Sequence, residues 1–140
     1  MFRKILVGVD GSEHGFKAAG VAGELARQIK SDLVLVVASF DEVPRYLGAG
    51  SMQEAIAVRM TQAQEVIRQA VETLGPVHGE LATEVLEGPP AEAILAMAAT
   101  SEVDLIVMGT RGLGRLAGLL LGSQSQKVAA YAKCPVLLVR

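Results

Sequence analysis

The stretch Ile5-Leu6-Val7-Gly8-Val9, followed at once by Asp10-Gly11-Ser12, decides the fold class of this 140-residue chain. A short run without polar side chains is typical of a strand buried on both faces, and the Asp-Gly-Ser turn is a helix-start signal. Apolar residues then recur at spacings of three and four as far as Ile29, which predicts a helix. The chain therefore opens with a strand, a turn and a helix.

The same alternation continues to the end of the chain. Further strands are predicted at residues 33–38, 81–86, 104–108 and 135–139, and the third of the five strands has the weakest strand character. Further helices are predicted at 52–74, 91–98 and 123–132. Two longer loops are predicted, one over residues 41–51 and one over the glycine-bearing stretch 109–122. The first of them contains Pro44 and Tyr46 and is long enough to have a functional role.

Strands that alternate with helices cannot form simple hairpins, so they predict a parallel sheet. We therefore expect an α/β fold of one domain, residues 1–140, with a single open five-stranded parallel sheet and helices on both faces. Right-handed crossovers and two winding directions favour the Rossmann-like strand order 3-2-1-4-5. The order 2-1-3-4-5 is the alternative, and periodicity alone does not separate the two.

Composition excludes several classes of protein. Hydrophobic residues make up 51% of the chain, which excludes a disordered protein, and a formal net charge of −2 offers no large basic surface for nucleic acid or membrane lipid. One cysteine excludes an internal disulfide framework, and no apolar run reaches the roughly 18 residues of a membrane span. We expect a cytoplasmic protein that binds neither nucleic acid nor membrane.

A ligand site is predicted where the winding of the sheet reverses, between strands 1 and 4. Strand 1 ends at Asp10, and strand 4 leads into the spacing Gly109-x2-Gly112-x9-Gly122-Ser123. Glycines let backbone approach a phosphate and permit positive φ, and the amides of a helix that begins at Gly122-Ser123 favour an anion. Three more side chains could support phosphate binding, two by charge and one by its hydroxyl: Arg111, Arg115 and Ser125.

Other readings of these residues remain open at this point. The glycines alone are equally typical of a surface loop without ligand, and Asp10 could simply be a turn carboxylate. The pattern is neither a Walker loop nor a dinucleotide fingerprint, and no metal site or catalytic triad is evident. His14 is expected on the exposed face of the first helix, and Cys134 is expected to be an inert packed thiol.

Over essentially its whole length, the chain resembles the universal stress proteins. The resemblance rests on residues 5–13, residues 104–112, Gly122-Ser123 and residues 134–139, and the glycine spacing matches the ATP-binding signature of that family. It implies that Asp10, Gly8 and Val9 contact the adenosine, that Ala38 offers backbone hydrogen bonds to adenine, and that Met108 packs nearby. It implies that ribose and phosphates are held by a further set of residues: Gly109, Gly112, Gly122, Ser123, Gln124 and Ser125. Gln124 departs from the valine of many members, and its expected contact is through the backbone amide.

The resemblance implies an ATP-binding regulator of a stress response, with ADP or AMP as other ligands and Mg²⁺ or Mn²⁺ left open as a companion of the phosphates. A slow ATPase and a nucleotide-independent dimeric interaction module are the alternatives. No catalytic residue is assigned. The last strand, Val136–Val139, is an apolar sheet edge, which predicts a homodimer paired through that strand, and the downstream protein partner stays unidentified.

Overall fold

A computed structural model of the protein describes residues 1–38, 49–111 and 121–140. Predicted residues Gly112 and Arg115, and the loop residues Pro44 and Tyr46, lie outside this part of the chain. The elements alternate in chain order: β1 (Lys4–Val9), α1 (Glu13–Ile29), β2 (Asp32–Ala38), α2 (Ala49–Leu74), β3 (Leu81–Leu86), α3 (Pro90–Thr100), β4 (Leu105–Gly109), α4 (Ser123–Tyr131) and β5 (Val136–Val139).

The five strands form one sheet in the order β3-β2-β1-β4-β5, and every neighbouring pair is parallel. The predicted fold class and leading strand order are therefore confirmed, and the alternative order is excluded. β1 lies at the centre of the sheet, where it pairs with β2 on one side and with β4 on the other. The winding direction reverses between β1 and β4, as the site prediction requires.

Alternating side chains of the central strands enter two separate cores. On one face, Ile5 and Val7 of β1 pack with residues of α1 and α2. On the other face, Leu6 packs with Ile94 of α3 and Val128 of α4. Burying a large aliphatic side chain contributes roughly 1.5–3 kcal/mol, so both layers of helices are held by β1 and its neighbours. This arrangement explains the unbroken apolar run with which the chain opens.

The helices α1 and α2 cross in close contact near the end of α2. A Cβ atom added at Gly23 would lie 2.0 Å from the carbonyl oxygen of Leu74, so only glycine fits there. The guanidinium of Arg27 donates hydrogen bonds to the same Leu74 carbonyl (2.7 Å) and to that of Pro76 (3.0 Å). The bond to Leu74 satisfies a carbonyl that the end of α2 leaves without a helical partner.

Both outer strands are more exposed than the central ones. The first four residues of β3 are exposed, whereas only the last is buried, and Leu137 of β5 is 38% exposed. The weak strand character of residues 81–86 follows from this exposure, because an edge strand lacks a continuous apolar pattern. No helix among the described ranges is long and apolar enough to cross a membrane.

Candidate functional site

The carboxyl ends of β2, β1 and β4 lie side by side at one edge of the sheet, which we call the carboxyl edge. Val9 pairs with Val37 and Gly8 pairs with Met108, so continuing the register by one or two residues brings Asp10 level with Ala38 and Thr110. The structure therefore brings together the predicted ends of β1, β2 and β4. In open parallel sheets this edge, at the reversal of winding, is where ligands bind.

The turn between β1 and α1 is organised by the carboxylate of Asp10. Its Oδ1 accepts hydrogen bonds from the amide of Ser12 (2.9 Å) and from the Ser12 hydroxyl. Ser12 in turn is the N-cap of α1, and its Oγ accepts from the amide of Gly15 (3.2 Å). Gly11 takes φ of +88°, which favours glycine. Asp10 thus has the turn role that the sequence left open, and its carboxylate is fixed at the carboxyl edge.

The glycine-bearing loop begins and ends at one hydrogen bond. The amide of Gly122 donates to the carbonyl of Thr110 (2.6 Å), and we call this pair the loop neck. The amide of Thr110 donates to the carbonyl of Val139 at the end of β5 (2.8 Å). The hydroxyl of Ser125 is buried and donates to the carbonyl of Gly109 (2.7 Å). The neck is therefore held to β4, to β5 and to the first turn of α4.

Helix α4 begins at the loop neck without a side-chain cap from the described residues. Gly122 is its N-cap, with φ of −69° and ψ of 158°, and Ser123 is its first residue. The expectation of a positive φ at Gly122 is wrong, since this extended conformation suits most residues. The first amides of α4, with the positive end of the helix dipole, are directed toward the neck and fit an anionic group.

Gly109 also has a reason to be glycine that the sequence did not reveal. Its φ is not in the positive region, and a Cβ atom there would lie 2.8 Å from the carbonyl carbon and the Cβ of His14. The missing side chain therefore lets the first turn of α1 lie directly against the end of β4. The expected positive φ at Gly109 is wrong, and close packing of a helix on a strand replaces it.

The side chain of Gln124 points away from the loop neck. Its Oε1 accepts a hydrogen bond from the amide of Ala91 (3.1 Å) in the first turn of α3. The N-cap of that helix is Pro89, whose own side chain makes no capping bond. Gln124 thus caps a neighbouring helix, which leaves only its backbone to face the neck, as its predicted role requires.

The remaining predicted residues lie around the same edge. Val9, Ala38 and Met108 are buried in the two cores, and a Cβ atom at Gly8 would lie 3.3 Å from Ile94. These four lie at the carboxyl ends of β1, β2 and β4, next to Asp10 in the sheet register. Arg111 follows the loop neck, and its carbonyl lies 3.4 Å from the hydroxyl of Ser12.

Two titratable residues lie away from this edge. Asp104 precedes β4 at the opposite edge of the sheet, and Cys134, which the sequence analysis singled out, precedes β5. Burial raises the pKa of the Cys134 thiol, and the nearby Asp104 carboxylate raises it further, so the thiolate form is disfavoured. That agrees with an inert packed thiol. The described residues contain no group of three or more His, Cys, Asp or Glu side chains placed to hold a metal ion.

The sheet order, the two layers of helices and the open edge define an α/β protein of the doubly wound class, with its candidate site at the reversal of winding. The chain belongs to the universal stress protein family, whose sequence profile matches residues 1–140. It is 48% identical to a universal stress protein of Thermus aquaticus over 140 residues, which is the full length of both chains.

Solved structures give the same result. The fold superimposes on universal stress protein UspA from Lactobacillus plantarum with a TM-score of 0.87 and 26% identity, covering 99% of this chain and 98% of that one. A universal stress protein solved in complex with cAMP has a TM-score of 0.72 and 26% identity, with 99% and 97% covered.

Proposed function

We propose that this protein is a stress-response regulator of the cytoplasm that binds an adenine nucleotide, ATP above all, between β1 and β4. The observation that carries the proposal is the loop neck, which joins the start of α4 to Thr110. That helix start has no side-chain cap from the described residues, and the carbonyl of the next residue, Arg111, lies 3.4 Å from the Ser12 hydroxyl of the Asp10 turn. The cAMP complex of a family member supports the adenine nucleotide as the ligand class. We further propose that residues 1–140 act as one domain.

Each part of the site has a separate role in this proposal. The Asp10 carboxylate accepts a hydrogen bond from the ribose or the adenine amine, and the backbone of Ala38 bonds to the adenine. The amides of Ser123 and Gln124 donate to phosphate oxygens, while Gly122 leaves room for them and Gly109 lets the first turn of α1 lie against the end of β4. The guanidinium of Arg111 adds positive charge. Mg²⁺ or Mn²⁺ would accompany the phosphates and neutralise part of their charge.

Isothermal titration with ATP tests the proposal directly. We expect saturable binding with a dissociation constant between about 1 µM and 1 mM, or about −8 to −4 kcal/mol. Adenine nucleotide that co-purifies with the protein, seen as an absorbance shift toward 260 nm, would support the same conclusion. No heat and no saturation at millimolar ATP would contradict it.

Regulation rather than rapid catalysis follows from the described side chains at the carboxyl edge. Oδ1 of Asp10 already accepts two hydrogen bonds from Ser12, and the His14 imidazole is already hydrogen-bonded to the hydroxyl of Thr110, which is 5% exposed, so both candidate bases at this edge among the described residues are engaged. We expect ATP turnover well below about 1 s⁻¹, the lower end of kinase rates. A steady-state assay with Mg²⁺ that gives tens of turnovers per second would replace the regulator by an ATPase.

We also propose a homodimer in which β5 pairs antiparallel with β5 of a second copy. The carbonyls of Pro135 and Val139 accept bonds from β4, so the amides of the alternate residues, Val136 and Leu138, point to the open edge. An exposed edge with free donors favours pairing with another chain.

Light scattering tests the dimer, and two variants separate the amide from the side chain. Leu138→Pro removes an outward amide, whereas Leu138→Ala shortens the same side chain and keeps that amide. We expect twice 14.7 kDa for the parent and for Leu138→Ala, and monomers for Leu138→Pro. A parent monomer at tens of micromolar protein would reject the dimer.

A further inference from the structure

His14 contacts the loop neck, although the sequence predicted an exposed position on the face of α1. It is the second residue of α1 and is half-buried, with its Nδ1 3.1 Å from the hydroxyl oxygen of Thr110. The contact is possible because Gly109 has no side chain, which lets the backbone of His14 lie against the end of β4. An imidazole is therefore hydrogen-bonded to the residue at which the glycine-bearing loop begins.

The hydroxyl of Thr110 is the part of the neck whose hydrogen bonding can change. The backbone amide of Thr110 donates to Val139 and its carbonyl accepts from Gly122, so both backbone groups are engaged. The residue is 5% exposed. A hydroxyl both donates and accepts, and a neutral imidazole nitrogen does one or the other. When His14 is neutral, the hydroxyl of Thr110 can donate its proton to Nδ1 of His14.

We propose that His14 is a positioning residue that couples nucleotide affinity to pH, an inference that rests on the proposed function. When His14 is protonated, Nδ1–H must donate and the Thr110 oxygen must accept. The hydroxyl proton of Thr110 is then released to bond a phosphate oxygen at the neck. The imidazolium also adds a positive charge beside the phosphates. Both effects favour nucleotide binding at low pH.

The other charged groups on the elements that meet at His14 are carboxylates, a lysine and arginines. They are Asp10 after β1, Glu13 and Lys17 on α1, Arg111 after β4 and Arg140 after β5. Glu13 and Lys17 form an exposed ion pair (3.3 Å). Carboxylates, lysine and arginine ordinarily change charge outside pH 6–8, whereas imidazole changes charge within it. Among these groups, His14 is therefore the one that senses this range.

The chain offers an internal control, because it contains only two histidines. His78 is exposed and lies between α2 and β3, at the opposite edge of the sheet. We would titrate ATP into the parent, His14→Gln and His78→Gln at pH 6.0 and 8.0. Protonation of ATP itself, with a phosphate pKa of about 6, affects all three proteins equally and cancels in the comparison.

When the pH falls from 8.0 to 6.0, we expect the ATP affinity of the parent and of His78→Gln to rise about threefold to tenfold more than the ATP affinity of His14→Gln. Thr110→Val should lose the part of this gain that depends on the hydroxyl and keep the part that comes from the imidazolium charge. If all proteins bind ATP and His14→Gln keeps the full pH effect, the inference is overturned while the proposed function stands. If Thr110→Val keeps the full effect, the route through the hydroxyl is overturned. If no protein binds ATP at either pH, the proposed function fails first.

NMR of the two histidine rings in the parent protein supplies a measurement that needs no variant. Linkage requires that ATP shift the titration of the coupled ring to higher pH. We expect that shift for the His14 ring and none for the His78 ring. If saturating ATP changed the titration of both histidine rings equally, or changed neither, the inference would be overturned.

Discussion

The two edges of the sheet use the same kinds of side chain for opposite purposes. The side of the sheet at which the strands begin is here called the amino-terminal edge. There the carboxylate of Asp104 accepts hydrogen bonds from the amides of Arg3 (2.8 Å) and Lys4 (3.0 Å), about a hundred residues away in the chain. Asp32 likewise accepts from the amide of Glu80 (2.8 Å). At the carboxyl edge, Asp10 instead bonds Ser12, two residues further on.

The difference separates the part of the molecule that holds the fold together from the part that is available to a ligand. Long-range bonds at the amino-terminal edge join distant segments, so losing them should lower stability. At the carboxyl edge, the bonds of Asp10 are local and shape only the turn, so changes at this edge should alter binding with little effect on stability. Four substitutions test this separation.

The largest effect is expected where α1 and α2 cross. Gly23→Ala puts a methyl group 2.0 Å from the Leu74 carbonyl, which requires the helices to separate. We expect a loss of about 2–4 kcal/mol in the free energy of unfolding. The control is Gly20→Ala, one turn earlier, where the methyl group would lie 3.6 Å from Thr73. The control should gain up to about 1 kcal/mol in urea denaturation, because alanine favours helix. Equal stabilities would refute the close contact.

At the loop neck, Gly122→Val should reduce ATP affinity at least about tenfold, or ~1.4 kcal/mol, because a branched Cβ crowds the phosphates. Stability should change little, since φ of −69° and ψ of 158° suit valine. Ala132→Val is the matched control, because Ala132 has similar dihedral angles at the other end of α4 (−64°, 141°). Titration calorimetry that finds parent-like affinity in Gly122→Val would show that the neck does not hold phosphate.

At the amino-terminal edge, Asp104→Asn should lower stability at pH 7 by about 1 kcal/mol, after allowance for its partial exposure, and leave ATP affinity unchanged. Burial raises the pKa of Asp104, but the amides of Lys4 and Arg3 outweigh it and hold the pKa below its usual range. A lowered folded-state pKa stabilises the protein above the unfolded value of about 3.9, and this contribution is lost as pH falls through the folded value.

The difference in stability between the parent and Asp104→Asn should therefore become smaller below about pH 4. Thermal denaturation at a series of pH values measures it, with Glu92→Gln as the control because Glu92 is in an exposed ion pair with Lys127 (3.6 Å). A gap that widened toward low pH would have the wrong sign for this explanation.

The smallest effect is expected for Gln124→Val. It removes the cap of α3 by leaving the Ala91 amide without the Gln124 oxygen. We expect a loss of about 0.5–1 kcal/mol in stability and no change in ATP affinity. A large fall in affinity would mean that the Gln124 side chain, and not its backbone, meets the ligand.

The framework of the fold could be predicted because its signals are local. The buried run of β1 and the Asp-Gly-Ser turn after it need no knowledge of the rest of the chain. The leading strand order also followed from general rules of winding, although periodicity alone left the order 2-1-3-4-5 open. The start of α2 was less clear, and the helix begins at Ala49, three residues before the predicted start, because the sequence there has no capping signal.

The site was harder to predict because its contacts join residues that are far apart in the chain. His14 and Thr110 are separated by 96 residues, and nothing near His14 indicates that it faces β4. Gln124 reaches Ala91 across 33 residues. The predicted positive φ angles at Gly109 and Gly122 were also wrong. The sequence alone does not show whether a glycine is needed for a positive φ or only because a side chain would not fit.

The packing of Gly109 on His14 changes what a glycine motif can reveal about evolution. A side chain at position 109 would displace the first turn of α1, so selection for folding alone would retain this glycine in a descendant that had lost its ligand. Gly122 has a backbone conformation that other residues also adopt, so folding alone would let it drift. Among related sequences, we therefore expect retention of the glycine at position 122 to mark a working site, whereas retention of the glycine at position 109 records only the architecture.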